Sequence, residues 1–142
     1  MRRMFILLFL FSIFIPAVFA SNNPSSSTIL SINVNFHLHQ SHAKGMMNKN
    51  LKTTWKTAAS DHHWTVIQNQ PNNMDSIILL SKIAKADNKE VMVHFLVLDT
   101  SKTPNVIAAP QLIVPYGQKG QIMLGGNTQK MELTIAAVVK KV

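Results

Sequence analysis

Between Ile29 and His39 apolar and polar residues alternate without interruption. Leu30, Ile32, Val34, Phe36 and Leu38 fall on one side, and Ser31, Asn33, Asn35, His37 and His39 on the other. A period of two marks a strand with one face on a core and the other in water. From Gln40 to Asp61 the alternation is lost in a Lys/Thr/Asn-rich stretch holding Gly45, Met46, Met47, Leu51 and Trp55, which admits a long loop, a short helix or an irregular edge strand. Strand-length runs then recur at Trp64 to Gln70, Ile77 to Lys85, Val91 to Asp99, Val106 to Val114, Gln121 to Leu124 and Met131 to Val139. Turn residues punctuate them: Asp87-Asn88-Lys89-Glu90 marks a hairpin, and Ser101 to Pro104, Tyr116 to Gly120 and Gly125-Gly126-Asn127 mark further turns. Two runs, Ile77 to Leu80 and Phe95 to Leu98, are continuous in apolar residues, as expected of strands covered on both faces. About seven short strands with no sustained helical period predict an all-β chain, an antiparallel β-sandwich. The alternative is an α+β domain with one helix within residues 44–59 lying over a sheet.

The first 20 residues stand apart. Arg2 and Arg3 precede the apolar run Met4 to Ile15, Pro16 breaks it, and Val18-Phe19-Ala20 supplies a small-residue end before Ser21. That order is the order of a cleavable secretory signal peptide, and the run falls short of the roughly 20 residues a spanning helix needs. No cysteine is present for lipid attachment. The expected organisation is a signal peptide at 1–20, a Ser/Asn/Pro-rich leader at 21–28 and a single β-sandwich domain at 29–142, in a protein that is periplasmic or secreted after cleavage. Removing 20 of 142 residues leaves 122, enough for one domain with its own core. Without cysteines, stability in an oxidising compartment has to come from packing and backbone pairing.

Charge narrows the partners. Of 14 Lys and Arg, two are the arginines of the expected signal peptide, so 12 lysines face six acids in the remainder. A basic exported protein is drawn to anionic lipid, polysaccharide or protein, and peripheral membrane contact fits the same balance. The absence of arginine removes the bidentate fork used for phosphate and base readout, so no nucleic-acid partner is expected.

The segment Ala109-Pro110-Gln111-Leu112-Ile113-Val114-Pro115-Tyr116-Gly117, continuing through Gln121-Ile122-Met123-Leu124 to Gly125, resembles a β-hairpin pattern of secretins, the outer-membrane gates of bacterial export machines. In that pattern a proline opens an apolar strand and a second strand closes on glycine; Pro115 and Gly117 depart from it. The likeness covers about 17 residues and implies an envelope-type β-domain, without the secretin barrel. In general character the chain also resembles small orphan type II secretion substrates of intracellular bacteria, which implies a host-directed role in virulence.

Candidate chemistry centres on histidine. His37 and His39 stand at i and i+2, so on a strand both imidazoles leave one face, and His42, His62 and His63 are candidates for the remaining ligands of Zn²⁺ or Cu²⁺. An exposed polar strand face accounts for the pair equally simply. His94, inside an apolar run, reads as a core histidine. No cysteine nucleophile, Gly-x-Ser-x-Gly elbow or His-Glu-x-x-His pair occurs, and the six acids are thinly spread, so no enzyme is expected. Lys44, Lys49, Lys52 and Lys56, with Trp55 between the last two as an exposed aromatic, are the expected partner-binding set, while Trp64 reads as a core strand residue. The expected function is therefore non-catalytic binding of an anionic surface, lipid or a host or envelope protein, with no cofactor; the alternative is a zinc- or copper-binding protein.

Overall fold

A computed structural model describes residues 28–42, 45–67 and 76–140 of the chain. The expected signal peptide and all of the leader but Thr28 lie outside the described residues. Those described form nine strands and no helix: β1 (Ile29–His42), β2 (Gly45–Ala58), β3 (Thr65–Val66), β4 (Ile77–Ala86), β5 (Glu90–Asp99), β6 (Asn105–Ala108), β7 (Gln111–Pro115), β8 (Lys119–Gly125) and β9 (Gln129–Lys140). They build two antiparallel sheets. The first, sheet A, has the order β2-β1-β9-β8; the second, sheet B, runs β3-β4-β5-β6, with β7 pairing β5 beyond β6. The two sheets pack face to face as a β-sandwich.

The unbroken alternation of β1 places it at the centre of sheet A, and Leu30, Ile32, Val34, Phe36 and Leu38 are all buried. Opposite them in the core lie Ile77, Leu79 and Ile83 of β4 and Val91, Val93, Phe95 and Val97 of β5. Met131, Leu133, Ile135 and Ala137 extend the same layer along β9.

Within the expected helix span of 44–59, the described residues 45–59 form no helix. β2 is a 14-residue edge strand paired with β1 in unbroken register from Ile29↔Ala58 to His42↔Gly45. Its pattern is hard to see because Lys49, Thr53 and Thr57 share the inward positions with Leu51 and Trp55, and the rim of a sandwich tolerates them.

The run expected from Val106 to Val114 is two strands. Pro110 has no N–H to donate, so the chain jogs at Ala109-Pro110, while the Phe95 amide still donates to the Pro110 carbonyl at 2.9 Å. The secretin-like segment is likewise not a hairpin: β7 pairs β5 in sheet B, whereas β8 pairs β9 in sheet A. It turns a corner between the sheets. Gly117 adopts φ +79°, and its amide donates to the Ala137 carbonyl at 3.0 Å. The hairpin at Asp87 to Glu90 is present, with Asp87 Oδ1 accepting from the amides of Lys89 (2.7 Å) and Glu90 (2.9 Å). Tyr116 is half-buried and donates its hydroxyl to the Asp87 carbonyl at 2.9 Å, tying the corner to that turn.

Candidate functional site

The register of sheet A fixes what its outer face presents. Cross-strand partners in an antiparallel pair share a face, so the outward residues of β1 generate rows across four strands. These run Lys56–Ser31–Val138, Thr54–Asn33–Ala136–Lys119, Lys52–Asn35–Thr134–Gln121, Asn50–His37–Glu132–Met123 and Asn48–His39–Lys130–Gly125. The face is mainly amide, hydroxyl, imidazole and ammonium, with Met123 and Val138 as separate exposed apolar residues. A shallow concavity of about 670 Å³ crosses it, lined by Asn33, Asn35, Lys52, Thr54, Lys119 and Thr134. A smaller hollow of about 140 Å³ next to it is lined by His37, His39, Asn48, Asn50, Lys130 and Glu132.

Charge on this face is one-sided. Lys52, Lys56, Lys119 and Lys130 all lie on it and are exposed, with Lys140 in the outermost row opposite Ile29. The sole carboxylate among these rows, Glu132, accepts from Gln121 Nε2 at 2.7 Å. The neutral groups are held in place by cross-strand bonds: Thr54 Oγ1 donates to Asn33 Oδ1 at 2.8 Å, His37 Nδ1 to Asn50 Oδ1 at 2.6 Å, and His39 Nδ1 to Asn48 Oδ1 at 2.5 Å. A ring that donates from Nδ1 leaves its Nε2 outside that bond, the arrangement in which a carbonyl oxygen orients an imidazole ligand from behind.

The expected histidine cluster divides. His37 and His39 share a face as the sequence requires, but His62 and His63 lie in the β2–β3 loop, whose Ala59 amide donates to the Thr28 carbonyl at the start of β1. That end is roughly 25 Å along the strand from His37, so the five histidines cannot form one site. His62 Nδ1 donates to the Ile83 carbonyl at 2.7 Å, and His63 donates its amide and Nδ1 to Asp61 Oδ1 at 3.0 and 2.8 Å. Those bonds, the backbone one first, hold the Asp61 carboxyl below its ordinary range. His42 ends β1, and its side chain lies outside the described residues. Among the described residues no three His, Asp or Glu side chains converge as a metal cage.

The partner-binding set also changes. Lys52 and Lys56 stand on the polar face, and Lys44 lies outside the described residues. Lys49 pairs with Leu38, so it belongs to the inward rows, where partial burial lowers its pKa. The tryptophans exchange roles: Trp55 pairs with Ile32 and is only 8% exposed, whereas Trp64 precedes β3 and is 44% exposed. Trp64 stacks under the Lys82 ammonium, 4.8 Å from the ring centroid. The inward positions of Lys49 and Trp55 both follow from the register of β2 against β1.

Asn33, Asn35, Lys119, Lys130 and Thr134 were not singled out from the sequence. The alternation of β1 and β9 marks Asn33, Asn35 and Thr134 as outward, but nothing local shows that β9 and β8 lie beside β1. The chain matches no protein-family model, no curated protein and no solved structure.

Proposed function

We propose that this is an exported, non-catalytic binding protein whose sheet A outer face takes up an extended acidic polysaccharide. The observation that carries the reading is the face itself, which carries five lysines, two of them (Lys52 and Lys119) lining a shallow concavity, and one carboxylate already tied to a neighbouring amide. Lysines offer point charges to carboxylates, and the Asn, Gln and Thr rows offer donors and acceptors to hydroxyls. A face without an apolar patch favours a hydrated polymer over a lipid tail. Export rests on the leader sequence Met1 to Ala20. The likeness to type II secretion substrates extends that reading to release from the cell and a host-directed role.

The test is retention of the protein on immobilised polygalacturonate across a salt gradient, with phosphatidylglycerol vesicles in parallel. The reading expects retention on the polymer that weakens steeply between low and physiological salt. Retention on vesicles alone would transfer the face to lipid, and no retention on either would end the proposal.

A second reading has its own observation. His37 and His39, each oriented by an asparagine oxygen, present a two-imidazole site for Zn²⁺ or Cu²⁺. Thermal shift with Zn²⁺, Cu²⁺ and Ni²⁺ tests it: a stabilisation of several degrees that disappears in His37→Ala/His39→Ala supports the site, and no metal-dependent shift removes it.

A further inference from the structure

Sheet B is as apolar on its outside as sheet A is polar. β4 and β5 turn Ile78, Leu80, Leu96 and Leu98 outward as two facing pairs, and the rows extend to Val66 on one side and Val106 on the other. Val66 is 53% exposed and Val106 52%. Further along, Lys82 and His94 interrupt the apolar rows, with Lys82 drawn over Trp64 at the edge, and Met92 paired with Ile113 resumes them. The continuous runs in β4 and β5 are the pattern of strands covered on both faces, yet among the described residues no strand lies over this face and Ile78, Leu80, Leu96 and Leu98 stay partly exposed. The segments outside the described residues beyond the leader, 21–27, 43–44, 68–75 and 141–142, carry no apolar run that could supply the cover.

We infer that the outer face of sheet B is the interface of a homodimer, each copy covering the sheet of the other. Size supports a second copy. β4 and β5 have 10 residues each, β3 has 2, β6 has 4 and β7 has 5, so at about 3.3 Å per residue and about 4.8 Å per strand the face covers roughly 500 Å² per copy. Two such faces bury about 1,000 Å², the least that a specific interface needs. Charge supports it as well. A twofold axis along the strands sets each row against the same row of the other copy, so the apolar rows meet, and it lays β4 over β5. Lys85, exposed near the end of β4, then comes to the end of the sheet where Glu90 of the other copy begins β5. The polar faces of sheet A are left outward on opposite sides of the dimer, free for two strands of a polymer.

The test is sedimentation equilibrium of the protein, produced from its full-length gene in an exporting bacterial host, up to about 100 µM, since interfaces of this size reach micromolar affinity or better. The expected result is a dimer that Leu96→Lys, or Val66→Lys with Val106→Lys at the two half-exposed sites, weakens at least tenfold while circular dichroism stays unchanged. The half-exposed pair keeps the test valid if Leu96→Lys fails to fold. A wild-type chain that remains monomeric overturns the inference, as does a dimer that Val66→Lys/Val106→Lys leaves intact. Binding of a monomer to neutral phosphatidylcholine vesicles through these residues also overturns it, because lipid is then the cover.

Discussion

Removing each tryptophan in turn separates the core from the surface. Trp55 is 8% exposed and packs in the main cluster beside Leu51 and Ile32. Truncating a buried tryptophan to alanine forfeits its transfer free energy and leaves a cavity, together about 3–5 kcal/mol. A domain of this size has roughly 5–15 kcal/mol in total, so Trp55→Ala removes a large share of it. Trp64 is 44% exposed, and its specific contact among the described residues is the Lys82 ammonium at 4.8 Å. An exposed cation–π pair contributes about 0.5–1 kcal/mol, so Trp64→Ala costs no more than about 1 kcal/mol. The assay is urea unfolding followed by far-UV circular dichroism. With an m-value of about 1–3 kcal/mol/M, Trp55→Ala lowers the midpoint by more than about 1 M and Trp64→Ala by less than that. Fluorescence gives an independent reading, since Trp64→Ala leaves only the buried indole and emission moves to shorter wavelength. Equal losses, or a larger loss for Trp64→Ala, would refute the register of β2 on which the polar face depends.

Other perturbations have defined outcomes. Gly125 sits at φ +118°, and a Cβ there meets the Gln129 carbonyl oxygen at 2.0 Å, so Gly125→Ala costs about 2 kcal/mol or more in the same unfolding assay. Ser81 is fully buried, and its Oγ has no hydrogen-bond partner among the described residues. Ser81→Ala is therefore neutral or stabilising, by up to about 1 kcal/mol. The Asp87 carboxyl is lowered from 3.8 by the amides of Lys89 and then Glu90. A depressed carboxylate stabilises above its unfolded pKa and loses that contribution as pH falls through the folded value. Melting temperature in Asp87→Ala accordingly falls less than in wild type between about pH 4 and pH 2.

Much of the sandwich is legible in local pattern, and the exceptions have physical causes. β1, β9 and the β4–β5 hairpin show themselves because their inward positions are apolar and the turn at Asp87 is held by its own carboxylate. β2 is obscured because an edge strand near the rim takes Lys49, Thr53 and Thr57 on its inner side, and Trp55 then looks like a surface residue among lysines. Ile78, Leu80, Leu96 and Leu98 read as doubly covered because sequence records apolarity without recording what does the covering. The site follows the same division. His37 and His39 share a face because β1 alternates, whereas Lys52 and Lys56 join that face only through the pairing of β2 with β1, which the local pattern does not show. Lys119 and Lys130 reach the same face only because β9 inserts between β8 and β1, a long-range pairing with no local signature.

The measurement that bears most directly on the polysaccharide-binding face compares two double variants of equal net charge. Lys52→Ala/Lys119→Ala removes two lysines from the lining of the concavity, and Lys89→Ala/Lys102→Ala removes two exposed lysines from turns elsewhere. At about 0.5–1 kcal/mol per lysine, affinity for polygalacturonate at low salt falls roughly 5- to 30-fold in the first and stays within about twofold of wild type in the second. Equal loss in both variants would mean that net charge alone drives attraction, contradicting a binding site on sheet A.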